Sequence, residues 1–233
     1  MTLYRFDTLP STNTTGKDWL ASGQGQHGDI LWATHQTAGR GTQGRTWEAQ
    51  PGRTLTFSLL HNPVAAGWLA PSLNTPLDLS TMAYITLAAG IATAEALAQV
   101  MGLTTVQLKP VNDLMVGGAK LGGILVESVL SHAGGGQAQP TLGIVTGIGI
   151  NLFPLLDADF PQQLDQPITA IADHVSQPIE TLQEQSETLI VTIADLLAEL
   201  YPAVFSGKLA VIQAQYLQRM VPGAVPPWDC AFV

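Results

Sequence analysis

Apolar and polar positions alternate along Leu3 to Leu9, the period of a half-buried strand. Ser11-Thr12-Asn13 follows with hydroxyl and amide groups suited to capping a helix that runs to about Ala21, and Gly23 to Gly28 closes it. Asp29 to Gln36 and Leu55 to Leu60 have strand composition, so the glycine-rich stretch between them joins two strands. Residues 62–78, rich in Pro, Asn and small residues, predict an irregular connection. Ser80 begins a long apolar helix, whose interior Ala88, Ala89, Gly90, Ala92, Ala94 and Ala96 permit close packing on a sheet. Strand patterns return at Val106 to Leu108, Leu114 to Val116, Leu121 to Leu130 and Leu142 to Ile150, with Gly117-Gly118 and Gly134-Gly135-Gly136 as turns. After Pro178, Leu182, Leu189, Ile193, Leu196, Leu197 and Leu200 give helical spacing until Pro202 stops it; a further helix is expected from Val204 to Met220, and Pro222 to Val233 carries no strong pattern. Strands, a helix on one face, then more strands predict an α+β fold with a mixed, largely antiparallel central sheet, helices on one face and helices at the carboxy end.

The 233 residues, 46% of them hydrophobic, can bury a sizeable core. No uninterrupted apolar stretch reaches the roughly 20 residues of a membrane span, and the amino terminus lacks the basic start and apolar core of a signal peptide, so a cytoplasmic protein is expected. A single cysteine, Cys230, leaves no internal disulfide and no cysteine metal cage, and the five histidines lack ligand spacing. The net charge of −9 argues against nonspecific nucleic-acid binding. Yet five of the nine basic residues fall between Arg40 and Lys120, whereas ten acids and only Lys208 and Arg219 follow position 151. Positive charge is therefore gathered around a few motifs.

The first motif is Gly39 to Trp47. Its glycines allow successive N–H groups to face one anion, Arg40 and Arg45 add forked donors, and Trp47 offers a flat apolar face. The second is Lys109-Pro110-Val111-Asn112-Asp113 with Lys120 to Glu127, where two lysines in adjacent strands can hold anionic oxygens and Asp113 a hydrated magnesium ion. Gly147-Ile148-Gly149-Ile150-Asn151 allows close backbone approach at a strand end, and Ser11-Thr12-Asn13 offers polar side chains. Taken alone, the glycine-rich loop reads first as a mobile surface turn and the Asn151 and Ser11-Thr12-Asn13 motifs as caps, while the lysine motif is equally well a solvated hairpin.

Together and in this order, the four motifs resemble the catalytic domain of the biotin protein ligases, from about Phe6 to Asn151. The family's Gly-Arg-Gly-Arg-x-Gly-Arg-x-Trp corresponds to Gly39 through Trp47, its Lys-Trp-Pro-Asn-Asp to Lys109 through Asp113, and its Lys-Leu-Ala-Gly-Ile-Leu-Val-Glu to Lys120 through Glu127. The resemblance implies a fold like that of class II aminoacyl-tRNA synthetases. It also implies a ligase that uses ATP and Mg2+ to convert biotin to biotinyl-5′-adenylate and then biotinylates a lysine of the biotin carboxyl carrier protein of acetyl-CoA carboxylase. On this resemblance Lys120 and Arg40 are catalytic. Ser11, Thr12, Asn13, Gln36, Gly39, Gly123, Leu125 and Gly147, with Arg40 and Lys120, bind biotin; Arg45, Trp47, Lys109, Asn112 and Asn151 bind ATP or adenylate; Asp113 binds the metal. A lipoate or octanoate transferase and a catalytically weakened biotin-binding module are the alternatives.

Thr42 stands where the family has arginine, removing a charge that retains the adenylate, and Pro110 and Val111 replace the family's tryptophan and proline. Residues 1–200 are expected to form the catalytic domain and residues 201–233 a helical remnant in place of the family's carboxy-terminal β-barrel. No amino-terminal DNA-binding domain and no DNA partner are expected. Pairing of two copies through the sheet is expected from the family.

Overall fold

The computed structural model describes residues 1–70, 77–131, 141–155 and 166–229. Seven strands, β1 (Leu3–Leu9), β2 (Ile30–Gln36), β3 (Thr54–His61), β4 (Gln107–Lys109), β5 (Asp113–Val116), β6 (Ala119–Ser131) and β7 (Thr141–Asn151), form one sheet in the order β1-β2-β3-β7-β6-β5-β4. Only β1 and β2 run parallel; every other neighbouring pair is antiparallel. The mixed, largely antiparallel α+β sheet is therefore as expected. Lys109 and Lys120 are not on adjacent strands, however, because β4 and β6 flank β5.

Local chemistry starts and stops the helices where caps are strong. In α1 (Thr12–Ser22) the Ser11 side chain accepts the Thr14 N–H, and the chain leaves through Gly23 at φ 76. In α2 (Leu79–Met101) Asp78 accepts the Thr81 N–H, and Gly102 at φ 69 ends it. Gly117 and Gly118, at φ 58 and 81, make the expected turn between β5 and β6. The Gly134-Gly135-Gly136 turn lies outside the described residues.

The carboxy-terminal helices depart from expectation. Pro202 does not stop α3 (Ile179–Phe205), because a proline in the last turns forfeits one hydrogen bond while buried Tyr201 and Val204 anchor that turn. The break comes at Ser206 to Lys208, with Gly207 at φ 72, so α4 spans only Leu209–Arg219. Residue 200 thus lies inside α3. The tail is also more ordered than its pattern predicts: Pro227 is buried and Trp228 stacks on Tyr84, ring centroids 6.5 Å apart. Met220 bridges to Leu108 and the Val221 N–H donates to the Leu108 carbonyl, covering the β4 edge. By length and composition α2 and α3 could each cross a bilayer, which the interrupted apolar pattern did not predict; α2 is instead largely buried beneath the sheet and against α3.

Strand alternation gives the sheet two unlike faces. Leu55, Phe57 and Leu59 of β3 and Ile144, Ile148 and Ile150 of β7 enter the main core with α2, α3 and α4. On the opposite face Leu60 and Val145 pack with Leu20 of α1 in a smaller cluster. Three helices thus share one face as expected, and α1 occupies the other. Gly16 permits this approach: a Cβ there would lie 2.7 Å from Leu60. α1 covers only part of its face, and the remainder, toward Thr56, Gly147 and Gly149, is left open.

At the far end of β3, His61 is fully buried among Tyr201, Trp68 and His27, and neither ring nitrogen has a hydrogen-bond partner. Burial, then the charge of His27, lowers its pKa to about 3. The unfolded chain therefore takes up this proton first. Stability is full above about pH 6.5 and falls by up to about 1.4 kcal/mol per pH unit as the pH drops toward about 3. Urea denaturation is expected to show about 2 kcal/mol less acid loss between about pH 7 and about pH 5 for His61→Phe than for wild type. Equal losses would remove His61 as the acid-sensitive group.

Candidate active site

The open part of the α1 face is a cleft of about 330 Å³ between α1, the Gly39 to Trp47 loop and the ends of β5, β6 and β7. Glycines make its floor. A Cβ on Gly147 would lie 2.0 Å from Asn13 Oδ1, and one on Gly149 2.5 Å from the Trp47 indole. The small residues of the strand-end motif are thus required by what lies on top of them.

One end of the cleft is lined by uncharged polar side chains, with the Arg40–Glu127 pair at its border. Ser58 Oγ lies 2.7 Å from both Thr12 Oγ1 and Asn13 Oδ1. The Thr12 N–H donates to Gln36 Oε1 at 2.7 Å, and Asn13 Nδ2 donates to the Leu125 carbonyl at 3.0 Å. Ser11, besides capping α1, lines the cleft, and Gly147 lies against Asn13, whereas Gly123 lies beside Lys120 and Trp47, a Cβ there falling 3.7 Å from Lys120 Nζ. These hydroxyl and amide groups are held by one another in a site with little solvent. They suit a ligand that offers a neutral polar ring.

The other end is cationic. Lys120 Nζ is 2.6 Å from Asp113 Oδ1, and Lys109 Nζ 3.9 Å from Asp113 Oδ2. Gln166 joins them, accepting from Lys109 Nζ at 2.8 Å and donating to Asp113 Oδ2 at 3.1 Å. The Lys120 backbone is pinned on both sides, its N–H to the Pro167 carbonyl and its carbonyl to the Thr169 N–H. Asn151 Nδ2 donates to the Thr169 carbonyl, and Asn112 Nδ2 to the Ile124 carbonyl, so both amides fasten segments that border the cleft. Both Asp113 oxygens are engaged by protein donors, and no group of three potential metal ligands exists among the described residues. Asp113 alone does not make a magnesium site in this arrangement.

The glycine-rich loop is a tight hairpin. The Gly41 N–H donates to the Arg45 carbonyl at 2.7 Å, the Trp47 N–H to the Gly39 carbonyl at 3.0 Å, and Gln43 and Gly44 turn the tip at φ 57 and 73. A Cβ on Gly39 would lie 2.3 Å from the Trp47 carbonyl oxygen, so Gly39 supports the hairpin from behind. This corrects the expected cradle of successive amides, since the N–H groups of Gly41, Arg45 and Trp47 close the hairpin itself. The Arg45 guanidinium folds back onto the Thr42 carbonyl and hydroxyl, at 3.3 and 3.2 Å. Arg40 forks onto Glu127, which Lys17 and Asn13 also reach. Trp47 lies over Gly149 with its Nε1 buried and without a partner.

Of the residues singled out by motif, Ser11, Thr12, Asn13, Gln36, Arg40, Arg45, Trp47, Asn112, Lys120, Gly123, Leu125, Gly147 and Asn151 line the cleft. Gly39 stands behind it, while Lys109 and Asp113 reach it through Gln166 and Lys120. Motif reasoning passes over Ser58, Lys17 and Gln166. Ser58 is a polar position on the cleft side of an apolar strand, and Lys17 lies one helical turn beyond Asn13, so both left a spacing signal. Gln166 sits in an irregular stretch and left none.

Residues 5–151 match the model of the Biotin/lipoate A/B protein ligase family. The bifunctional ligase/repressor BirA of Bacillus subtilis is 28% identical over 174 residues, which cover 75% of this chain and 47% of that protein. The biotin--[acetyl-CoA-carboxylase] ligase of Mycobacterium tuberculosis is 32% identical over 179 residues, covering 72% of this chain and 55% of the relative. The chain spans about half the length of these curated relatives. In fold it is similar to the biotin protein ligase of Aquifex aeolicus in complex with biotin and ATP, with a TM-score of 0.68 at 22% identity over 94% of this chain and 78% of that one. It is also similar to the Leishmania major biotin protein ligase in complex with biotinyl-5-AMP, with a TM-score of 0.63 at 21% identity over 97% and 87%. Since the family model takes in well over half of the chain and all four motif clusters, the chain belongs to the biotin/lipoate A/B protein ligase family.

Proposed function

We propose that this protein is a biotin protein ligase, and the observation that carries the reading is one cleft with a neutral hydrogen-bonding end and a cationic end. The fused urea ring of biotin can share hydrogen bonds with the Ser11, Thr12, Asn13 and Gln36 groups, whereas a lipoyl dithiolane or an octanoyl chain offers them none. The biotin carboxylate then points toward Lys120. In the first step a carboxylate oxygen attacks the α-phosphorus of ATP and pyrophosphate leaves; Lys120 stabilises the charge that develops there. In the second, the neutral amine of a carrier lysine attacks the acyl carbon, AMP leaves and one proton passes to solvent. Arg45, Trp47, Lys109, Asn112 and Asn151 border the nucleotide end in this reading.

The relatives named as acetyl-CoA-carboxylase ligases support a biotin carboxyl carrier domain as the acceptor. Two copies would pair most simply through β1, the edge strand that the carboxy-terminal segment does not cover. Pyrophosphate release from ATP tests the reading directly. Biotin should stimulate it at least about tenfold more than lipoate or octanoate; equal or greater stimulation by either alternative would overturn it.

Thr42 adds a prediction. Here it holds Arg45 and supplies no charge of its own, so the activated intermediate is retained less firmly than with an arginine at this position. Thr42→Arg is expected to lower biotin labelling of bystander lysines severalfold, counted by mass spectrometry. Equal labelling would sink the idea.

A further inference from the structure

We propose that Glu127 is a positioning residue that parks the Arg40 guanidinium at the cleft, and that Lys17 keeps Glu127 paired when Arg40 turns to an anionic ligand. The inference rests on the ligase reading for the ligand but not for the clamp. Glu127 lies on β6 two residues beyond Leu125, so strand alternation directs it to the cleft face. Its carboxylate takes a fork from Arg40, with NH1 3.1 Å from Oε2 and NH2 3.0 Å from Oε1. Lys17 Nζ reaches Oε1 at 2.7 Å and Asn13 Nδ2 reaches Oε2 at 3.1 Å. One side chain thus ties α1, the loop and β6 together.

The charges do not cancel: one carboxylate faces two cations. Arg40 lines the cleft and its side chain is 42% exposed, whereas Lys17 does not line the cleft. Arg40 alone is therefore placed to turn to a carboxylate or phosphodiester in the cleft. Were it the only partner, its departure would strand a half-buried carboxylate, which is expensive. Lys17 removes that obstacle. Burial alone would raise the Glu127 pKa, but hydrogen bonds from Lys17 and Asn13 and the charges of Lys17 and Arg40 outweigh it and hold the group below the usual glutamate value. Glu127 is therefore ionised and available to both cations near neutral pH. An exposed pair that merely fastened α1 to the sheet would not involve the loop.

Trypsin cleavage after Arg45 in the ligand-free protein reads the clamp without any ligand. Glu127→Gln and, from the loop side, Arg40→Gln should each raise that rate at least about threefold at an unchanged melting temperature. Rates equal to wild type in both would overturn the clamp. Lys17→Ala should then raise the KM for biotin about tenfold, and adding Glu127→Gln to it should recover most of that loss, because Arg40 no longer has to leave an unpaired carboxylate. A double variant as weak as Lys17→Ala or weaker would overturn the part assigned to Lys17. Faster cleavage in a protein that neither binds nor activates biotin would defeat the ligase reading and leave the clamp standing.

Discussion

Lys120→Ala is expected to lower biotin-dependent pyrophosphate release by about a hundredfold or more, the usual scale for removing one preorganised group at a developing charge. The backbone around Lys120 is held by the Pro167 and Thr169 bonds and by pairing with β5, none of which needs the side chain. The fold should survive, with the melting temperature moving by no more than a few degrees. Asp113 would keep Gln166 and Lys109 as partners. The remaining charge therefore sits at the rim and does not replace an ammonium reaching the cleft. Activity near wild type would remove Lys120 from the catalytic assignment.

Gly147→Ala is expected to abolish tight biotin binding through a different cause. The added methyl would lie 2.0 Å from Asn13 Oδ1 and 2.8 Å from Asn13 Cγ. Asn13 cannot give way cheaply, because Ser58, the Leu125 carbonyl and Glu127 hold both ends of its amide. Displacing it would take from Ser58 one of its two partners and disturb the Thr12 contact that Ser58 also holds. Biotin affinity should fall by more than about tenfold by calorimetry, and stability by about 1–3 kcal/mol in urea, the range for an overpacked site. Wild-type affinity in this variant would mean that the strand does not form the floor of the ligand site.

Much of this architecture was readable along the chain because the informative patterns are local. Alternation at Leu3 to Leu9 and the Ser11 cap each depend on a few neighbouring residues, and both elements form where expected. The Gly117-Gly118 turn needs only two positive φ angles. What went unread depends on partners distant in sequence. Pro202 reads as a stop, but buried Tyr201 and Val204 outweigh its missing donor. The placing of α1 opposite the other helices follows from the split between Leu59 and Leu60 on β3, which no local pattern assigns to one face or the other. In the site, glycines and charged residues announced themselves as motifs, yet their bonding did not follow from spacing. Arg40 is paired to a residue 87 positions away, and Asp113 to Gln166 53 positions away. Loop glycines that could have formed an anion cradle instead closed a hairpin, since the Gly41 and Trp47 N–H groups found nearer acceptors within the loop.

On the proposed function, one cleft activates biotin at its cationic end and hands it to a carrier lysine. Incubation with biotin, ATP and an isolated biotin carboxyl carrier domain, followed by intact-mass measurement of the carrier, puts this to the test. The carrier should gain a single biotinyl group, dependent on ATP and absent when its acceptor lysine is replaced. Binding of biotin with no transfer to the carrier would contradict it and would leave a biotin-binding module in its place.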